Sequence, residues 1–389
     1  MKTARDLPLK QARLCSKLKI LFCLGMIAIG LQFPTTLVSQ EMVLQEDDQI
    51  RKIIEQAVEG QPIPGAIAAM QIADGPLRIA AVGVRKSGSD EKMTINDQIH
   101  LGSCTKAITA TMIARLVEQK KLDWDLTIER GLPDVSKQIH ADYRQATLRQ
   151  LLQHRAGVPA NAPNWWLDAG PESGKELMAL RKKIAVASLQ QAPSKKPGEA
   201  YEYSNLGYML AGMMAEQVTG KDAEALLREW VFDPLDMQTA DFGPPGTKGE
   251  IDQPWGHVLE ADKLKPLQHD NAPALGPAGR AHMSMADWSK FIYEHRRQDQ
   301  GKIVSPRMRQ TLQTPPKGAD YAFGWIVTER TWAKSTAITH SGSNTMWFAV
   351  VWFAPKRQAT FMAAINIAHP DAAKVCDQII GQMIRTQLD

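Results

Sequence analysis

The spacing of apolar positions changes character along this chain, and the changes outline an architecture. From Asp47 to Gly60, Ile50, Ile53, Ile54 and Val58 recur at helical intervals, which predicts an amphipathic helix with Gly60 at its end. Residues 63–72 and 77–84 are then short apolar runs parted by Asp74-Gly75-Pro76, the pattern of two strands and a turn. The far end answers with a second predicted hairpin, residues 347–353 and 359–367 around Pro355-Lys356-Arg357. Ala372 to Leu388 follows, with Val375, Ile379, Ile380, Met383 and Ile384 marking a closing amphipathic helix. Between these ends, helical periods and Pro/Gly-rich loops dominate, and strand-like runs are few. The simplest reading is an α+β fold with one sheet built from both termini, about residues 46–100 and 318–389, and a large helical insertion over about residues 105–310.

The N-terminus carries a different signal. Residues 20–31 form an apolar run shorter than the roughly 20 residues that span a bilayer. Lys2, Arg5, Lys10, Arg13, Lys17 and Lys19 precede it, and Ser39 offers a small residue for cleavage. This predicts a secretory signal peptide over residues 1–39 and a secreted or periplasmic domain over 40–389, with no membrane attachment once the signal is removed; an uncleaved anchor is the alternative.

Removing that segment changes the charge. Of 46 Lys and Arg and 42 Asp and Glu, six bases and one acid precede residue 40, which leaves 40 bases against 41 acids. A nucleic-acid partner therefore loses its electrostatic basis. With 44% hydrophobic and 23% charged residues, the chain has ordinary globular composition. Cys15 and Cys23 leave with the signal, so Cys104 and Cys376 remain, either as a pair or as two separate buried side chains. No C-x-x-C or H-E-x-x-H occurs and the histidines have no ligand spacing, so no metal or other cofactor is assigned.

The candidate chemistry begins at Ser103. The pattern S-x-x-K occurs at Ser16, Ser89 and Ser103, but only Ser103 follows a glycine and opens a helical stretch, marked by Ile108, Met112, Ile113, Leu116 and Val117. Residues three apart share a helix face, so the Lys106 amine falls within reach of the Ser103 hydroxyl. A serine becomes a nucleophile when a base takes its proton, and a lysine serves when burial lowers its pKa. Taken alone, without further motifs, the pair reads more readily as a Ser cap followed by a solvated Lys. Tyr203-Ser204-Asn205 is the only Y-x-N in the chain and stands where another apolar-periodic helix begins. Tyr203 could relay a proton to a leaving group, and Asn205 could position the lysine and a substrate carbonyl; a packed aromatic with an Asn cap is the structural alternative. Thr339-His340-Ser341-Gly342 closes a predicted strand, where Gly342 admits a close approach to the backbone. The amides of Ser103 and Ser343 could then form an oxyanion hole.

In this order, Ser103-x-x-Lys106, Tyr203-x-Asn205 and His340-Ser341-Gly342, the chain resembles the class C beta-lactamase and penicillin-binding-protein-like serine hydrolases. The resemblance runs over roughly residues 46–385 and includes Thr147 to His154 and Tyr203 to Tyr208. It implies an antiparallel sheet flanked by terminal helices, an inserted helical domain, and a site in the cleft between them. It also implies that Ser103 is the nucleophile, Lys106 and Tyr203 the acid/base pair, Asn205 a positioning amide, and His340, Ser341 and Gly342 substrate-binding groups of the cleft wall. Departures from the family pattern are Ala156 after the L-L-x-H segment and Arg280 after Gly279. Trp165 and Trp166 are candidates to line the cleft, and His154 is expected to support a turn.

These features predict an exported enzyme that cleaves small esters or amides through an acyl-enzyme. Beta-lactams and D-amino-acid peptides are alternative substrates, and a catalytically silent module that binds cell-wall peptide is an alternative of another class. An alpha/beta-hydrolase would need a G-x-S-x-G elbow, which the chain lacks.

Overall fold

The computed structural model describes residues 43–163 and 170–388, so the expected signal segment, Trp165 and Trp166 lie outside the described residues. The first elements are β1 (Leu44–Glu46), helix α1 (Asp48–Val58), β2 (Gly65–Ile72) and β3 (Leu77–Gly83). Helix α1 starts where the Asp47 carboxylate accepts the amides of Gln49 and Ile50, both at 2.9 Å, which satisfies two of the donors left free at a helix start. Strand β4 (Gln98–His100) and helix α2 (Thr105–Glu118) lead into the insertion, which also holds the helices Gly174–Ser188, Asn205–Thr219 and Met285–Arg296. Small strands interrupt it: β5 (Asp241–Phe242), β6 (Gly256–Glu260), β7 (Lys263–Leu267) and β8 (Ala281–Ser284). The chain then returns through β9 (Ile326–Arg330), β10 (Ser335–Ser343), β11 (Phe348–Ala354) and β12 (Ala359–Ile365) to the closing helix Ala372–Leu388.

Both termini build one sheet, in the order β1-β3-β2-β12-β11-β10-β9. The predicted hairpins meet at its centre, where β2 pairs antiparallel with β12 from Ala66–Ile365 to Ile72–Ala359. The expected all-antiparallel sheet needs one correction, because β1 pairs with β3 in parallel. The chain leaves β1 through α1 and makes the β2–β3 turn, so β3 returns to the edge running the same way as β1. The insertion is mainly helical, as expected, and its few strands pair locally: β4, β8 and β5 form a small sheet, and β6 and β7 a hairpin.

Strand periodicity divides the core between the faces of the main sheet. On β2, Ile67 and Ala69 join the larger cluster shared with the insertion, while Ala66, Ala68 and Met70 join the cluster under α1 and the closing helix. On β12 the same alternation sends Met362 and Ala364 one way and Phe361, Ala363 and Ile365 the other. The closing helix buries Val375, Ile379, Ile380, Met383 and Ile384. Each such side chain contributes about 1.5–3 kcal/mol relative to exposure, so this face fixes the helix against the sheet.

A buried ion cluster shapes the other side. Arg181 pairs with Glu216 and Glu224 and donates from Nε to the Ala274 carbonyl at 3.0 Å. It thereby anchors the segment 273–279, whose Pro277 carbonyl accepts from Thr109 on α2 at 2.7 Å. Among the described residues, no helix is long and apolar enough to cross a membrane.

Candidate active site

Gly102 starts the site with a positive φ of 49°, a conformation that costs glycine little and places Ser103 on a short 3-10 turn ahead of α2. One helical turn on, Lys106 is fully buried. Its Nζ lies 3.0 Å from Ser103 Oγ, 2.7 Å from Asn205 Oδ1 and 2.7 Å from the Ala278 carbonyl. Burial pulls its pKa from 10.5 down to about 7. A neutral amine in this cage gives its two protons to the two carbonyl oxygens, which only accept, and leaves its lone pair facing the Ser103 hydroxyl.

Tyr203 completes the serine's surroundings. Its hydroxyl donates to Ser103 Oγ at 2.6 Å, and burial pushes its pKa up, so it stays a neutral phenol. One serine hydroxyl can accept from Tyr203 while donating to Lys106, so all three side chains share a single hydrogen-bond path. Ser204 caps the helix Asn205–Thr219 by accepting the Gly207 amide at 2.8 Å, which puts Asn205 on the first helical turn. The Asn205 amide group donates to Asn161 Oδ1 at 2.8 Å, and this fixes its oxygen toward Lys106.

His340, Ser341 and Gly342 end β10 beside the serine. Strand β9 pairs with β10 only as far as Thr339, so the later stretch runs past the end of that ladder. Ser341 and Ser343 are exposed, whereas His340 is buried. His340 Nδ1 lies 2.6 Å from the Ser341 carbonyl and must donate to it; Nε2 is left to accept from Tyr321 at 3.3 Å. Burial, reinforced by the nearby Lys106 charge, lowers its pKa to about 3, so the ring is neutral at ordinary pH. A Cβ on Gly342 would stand 2.5 Å from the Ser103 nitrogen, and one on Gly102 would overlap the Ser343 nitrogen. Only glycine at both positions lets the Ser103 and Ser343 amides come this close.

The sequence pattern pointed to the motif residues and to His154 as the support of a turn, but it missed the other groups that hold them. His154 has a positive φ of 56°, accepts the Ser204 amide at 3.0 Å on Nδ1, and packs its ring 4.4 Å from that of Tyr203. Tyr321, Asn161 and the Ala278 carbonyl lie in no motif, and only their three-dimensional neighbours reveal them. Arg280 is no free cation: it is 3% exposed, with Nη1 2.6 Å from Glu172 and Nε 3.3 Å from Asp270.

This architecture and its Ser-Lys-Tyr cluster define a class, the beta-lactamase-fold, penicillin-binding-protein-like serine hydrolases. The beta-lactamase family model matches residues 50–382, and the chain belongs to that family. Similar curated proteins include Protein flp of Staphylococcus aureus (strain N315), 22% identical over 345 residues, covering 86% of this chain and 66% of that protein. Penicillin-binding protein 4 of Amycolatopsis lactamdurans is 27% identical over 235 residues, covering 60% of this chain and 59% of that protein. The chain thus spans less than two thirds of the length of these relatives. Among solved structures, SurE aligns with a TM-score of 0.72 at 22% identity, covering 88% of this chain and 76% of that one. The D-amino acid amidase of Ochrobactrum anthropi SV3 complexed with L-phenylalanine aligns with a TM-score of 0.71 at 21% identity, covering 87% and 99%.

Proposed function

We propose that this protein is an exported serine acyl-hydrolase that cleaves small, uncharged esters or amides through an acyl-enzyme on Ser103. The observation that carries the reading is the shared hydrogen-bond path, in which Lys106 Nζ stands 3.0 Å and the Tyr203 hydroxyl 2.6 Å from Ser103 Oγ. The unprotonated form of Lys106, which builds up as pH rises through about 7, takes the Ser103 proton as Oγ bonds to the substrate carbonyl carbon. The amides of Ser103 and Ser343 receive the resulting oxyanion. Tyr203 gives its phenolic proton to the departing alkoxide or amine and regains one from the Lys106 ammonium. Water then attacks the acyl-enzyme by the same groups in reverse order.

The neutral His340 and the doubly paired Arg280 support an uncharged substrate, since neither offers a free cation to a carboxylate. Amides of D-amino acids are a second reading, supported by the fold shared with the Ochrobactrum amidase. Residues 1–39 act as the export signal in this proposal, and the mass of the exported protein should correspond to a chain that begins near residue 40. For the nucleophile, intact mass after a fluorophosphonate should show one adduct, located on Ser103, and Ser103→Ala should abolish turnover. An adduct elsewhere, with activity surviving in Ser103→Ala, overturns the assignment. A panel of p-nitrophenyl esters, a chromogenic cephalosporin and D-amino-acid amides separates the substrate readings.

A further inference from the structure

Behind the cleft lies a buried carboxylate that no motif includes. Asp270 is 2% exposed at its side chain and faces donors from three separate parts of the chain. His100 Nε2 stands 2.9 Å from its Oδ1, a close contact that falls short of hydrogen-bond geometry. Asn344 Nδ2 donates to the same oxygen at 3.0 Å, and Arg280 Nε lies 3.3 Å from Oδ2. Each donor belongs to backbone that forms the site. His100 Nδ1 accepts the Gly102 amide at 3.1 Å, which fixes its ring proton on Nε2, toward Asp270. Asn344 directly follows Ser343, and its Oδ1 accepts the Met346 amide at 3.2 Å. Arg280 lies two residues after Ala278, whose carbonyl holds Lys106. Next to Asp270, Asn271 donates from its side chain to the Gly279 carbonyl at 2.7 Å, a second tie to the same stretch.

We propose that Asp270 is the positioning residue of this site, its one carboxylate setting the spacing between the Ser103 turn, the Ser343 strand end and the carbonyl that holds Lys106. The inference rests on the serine-hydrolase reading above. The Ser103 turn and the Ser343 strand end meet backbone to backbone with no side chain between them, because Gly102 and Gly342 leave no room for a Cβ. The Leu101 amide on the Ala281 carbonyl at 2.9 Å and the Ala281 amide on Thr105 Oγ1 at 3.1 Å tie the Ser103 turn to the stretch after Ala278, and Asp270 adds from behind a contact that reaches all three. Burial pushes its pKa up, but the neighbouring His100, the charge of Arg280 and the bond from Asn344 more than offset this, so the carboxyl stays below its ordinary range and remains ionised. An oxyanion hole works only while its donors stay within a few tenths of an ångström of the developing charge, and a small displacement costs rate rather than substrate binding.

Asp270→Asn is the direct test. The amide keeps the volume, yet it offers one acceptor oxygen and two N–H donors to partners that are themselves donors. With p-nitrophenyl butyrate, assayed well below the variant's own melting temperature, kcat should fall about 100-fold or more while KM stays within about threefold. Asp47→Ala, which loses the cap of α1 far from the site, should lower Tm without moving kcat and calibrates a purely structural effect. If Asp270→Asn does not fold, Asn344→Ser cuts the single tie to the Ser343 stretch and should lower kcat about tenfold at unchanged KM. The proposal is overturned if kcat stays within about threefold of native in the folded variant, or if activity only tracks the folded fraction. Turnover surviving in Ser103→Ala would refute the nucleophile reading instead, whereas an inert Ser103→Ala beside a fully active Asp270→Asn overturns this one alone.

Discussion

Lys106 is buried and, among the described residues, has no carboxylate partner, and that single fact sets both its chemistry and its cost. With a pKa near 7, its base form accumulates as pH rises through neutrality, so kcat/KM should climb with a midpoint near pH 7; a flat profile between pH 5 and pH 9 contradicts this. The stability effect has a definite sign. The folded pKa of about 7 lies below the ordinary 10.5, so between these values the unfolded chain binds more protons and stability rises with pH. Lys106→Met should therefore raise Tm most at and below pH 7, with the gain fading toward pH 10.5, while activity is lost. Lys106→Ala and Tyr203→Phe should each cost about 100-fold or more in kcat and be strongly non-additive when combined, because both act on one hydroxyl. His340 tests the substrate reading. As a neutral ring it offers a carboxylate no cation, so the native enzyme should prefer p-nitrophenyl butyrate to a chromogenic cephalosporin, and His340→Lys should shift the kcat/KM ratio toward the cephalosporin by roughly tenfold. An unchanged ratio would remove His340 from specificity. The S-x-x-K spacing revealed the Ser-Lys pair, because a helix turn fixes that distance locally. The lysine's pKa was not legible, since its cage comes from Asn205 and Ala278, 99 and 172 residues away.

At the scale of elements, local rules worked where an element is long and amphipathic. The closing helix runs from Ala372 to Leu388, the range its apolar period predicts, and the hairpin strands begin and end within about two residues of their predicted limits. Helix α1 begins at its Asp47 cap. Asp47→Ala should destabilise the fold by about 1–2 kcal/mol in urea unfolding, more if the loss of its ion pair with Arg78 adds to the lost cap, and leave kcat unchanged. The short strands had no such signal. Strand β4 is three residues long and pairs His100 with His282, so its strand state exists only because β8 lies beside it. The turn at 102–104 is similar: sequence periodicity starts a helix at Ser103, whereas α2 starts at Thr105 behind a tighter turn that presents the serine.

Over the whole molecule, the main sheet separates two cores, and the two described cysteines fall on opposite sides of it. Cys104 packs in the cluster shared with the insertion, Cys376 in the one beneath the terminal helices, and both are free thiols. Burial raises both pKa values, so neither is a ready thiolate. Denatured, unreduced protein lacking residues 1–39 should take up two iodoacetamide groups by mass and the same protein in its native state essentially none; a loss of two mass units with no uptake would mean a disulfide. From its own pattern the chain determined the two terminal strand pairs and helices, the helical character of the middle, and the order of three short motifs, because period and motif spacing are properties of neighbouring residues. Tertiary structure alone decided that β2 meets β12, that Lys106 loses its charge near neutrality, that His340 is a buried neutral ring, and that Asp270 stands behind all three site segments. Each of these depends on desolvation or on a bond between residues far apart in the chain, and such energies exist only once the surrounding elements have excluded water and come into contact.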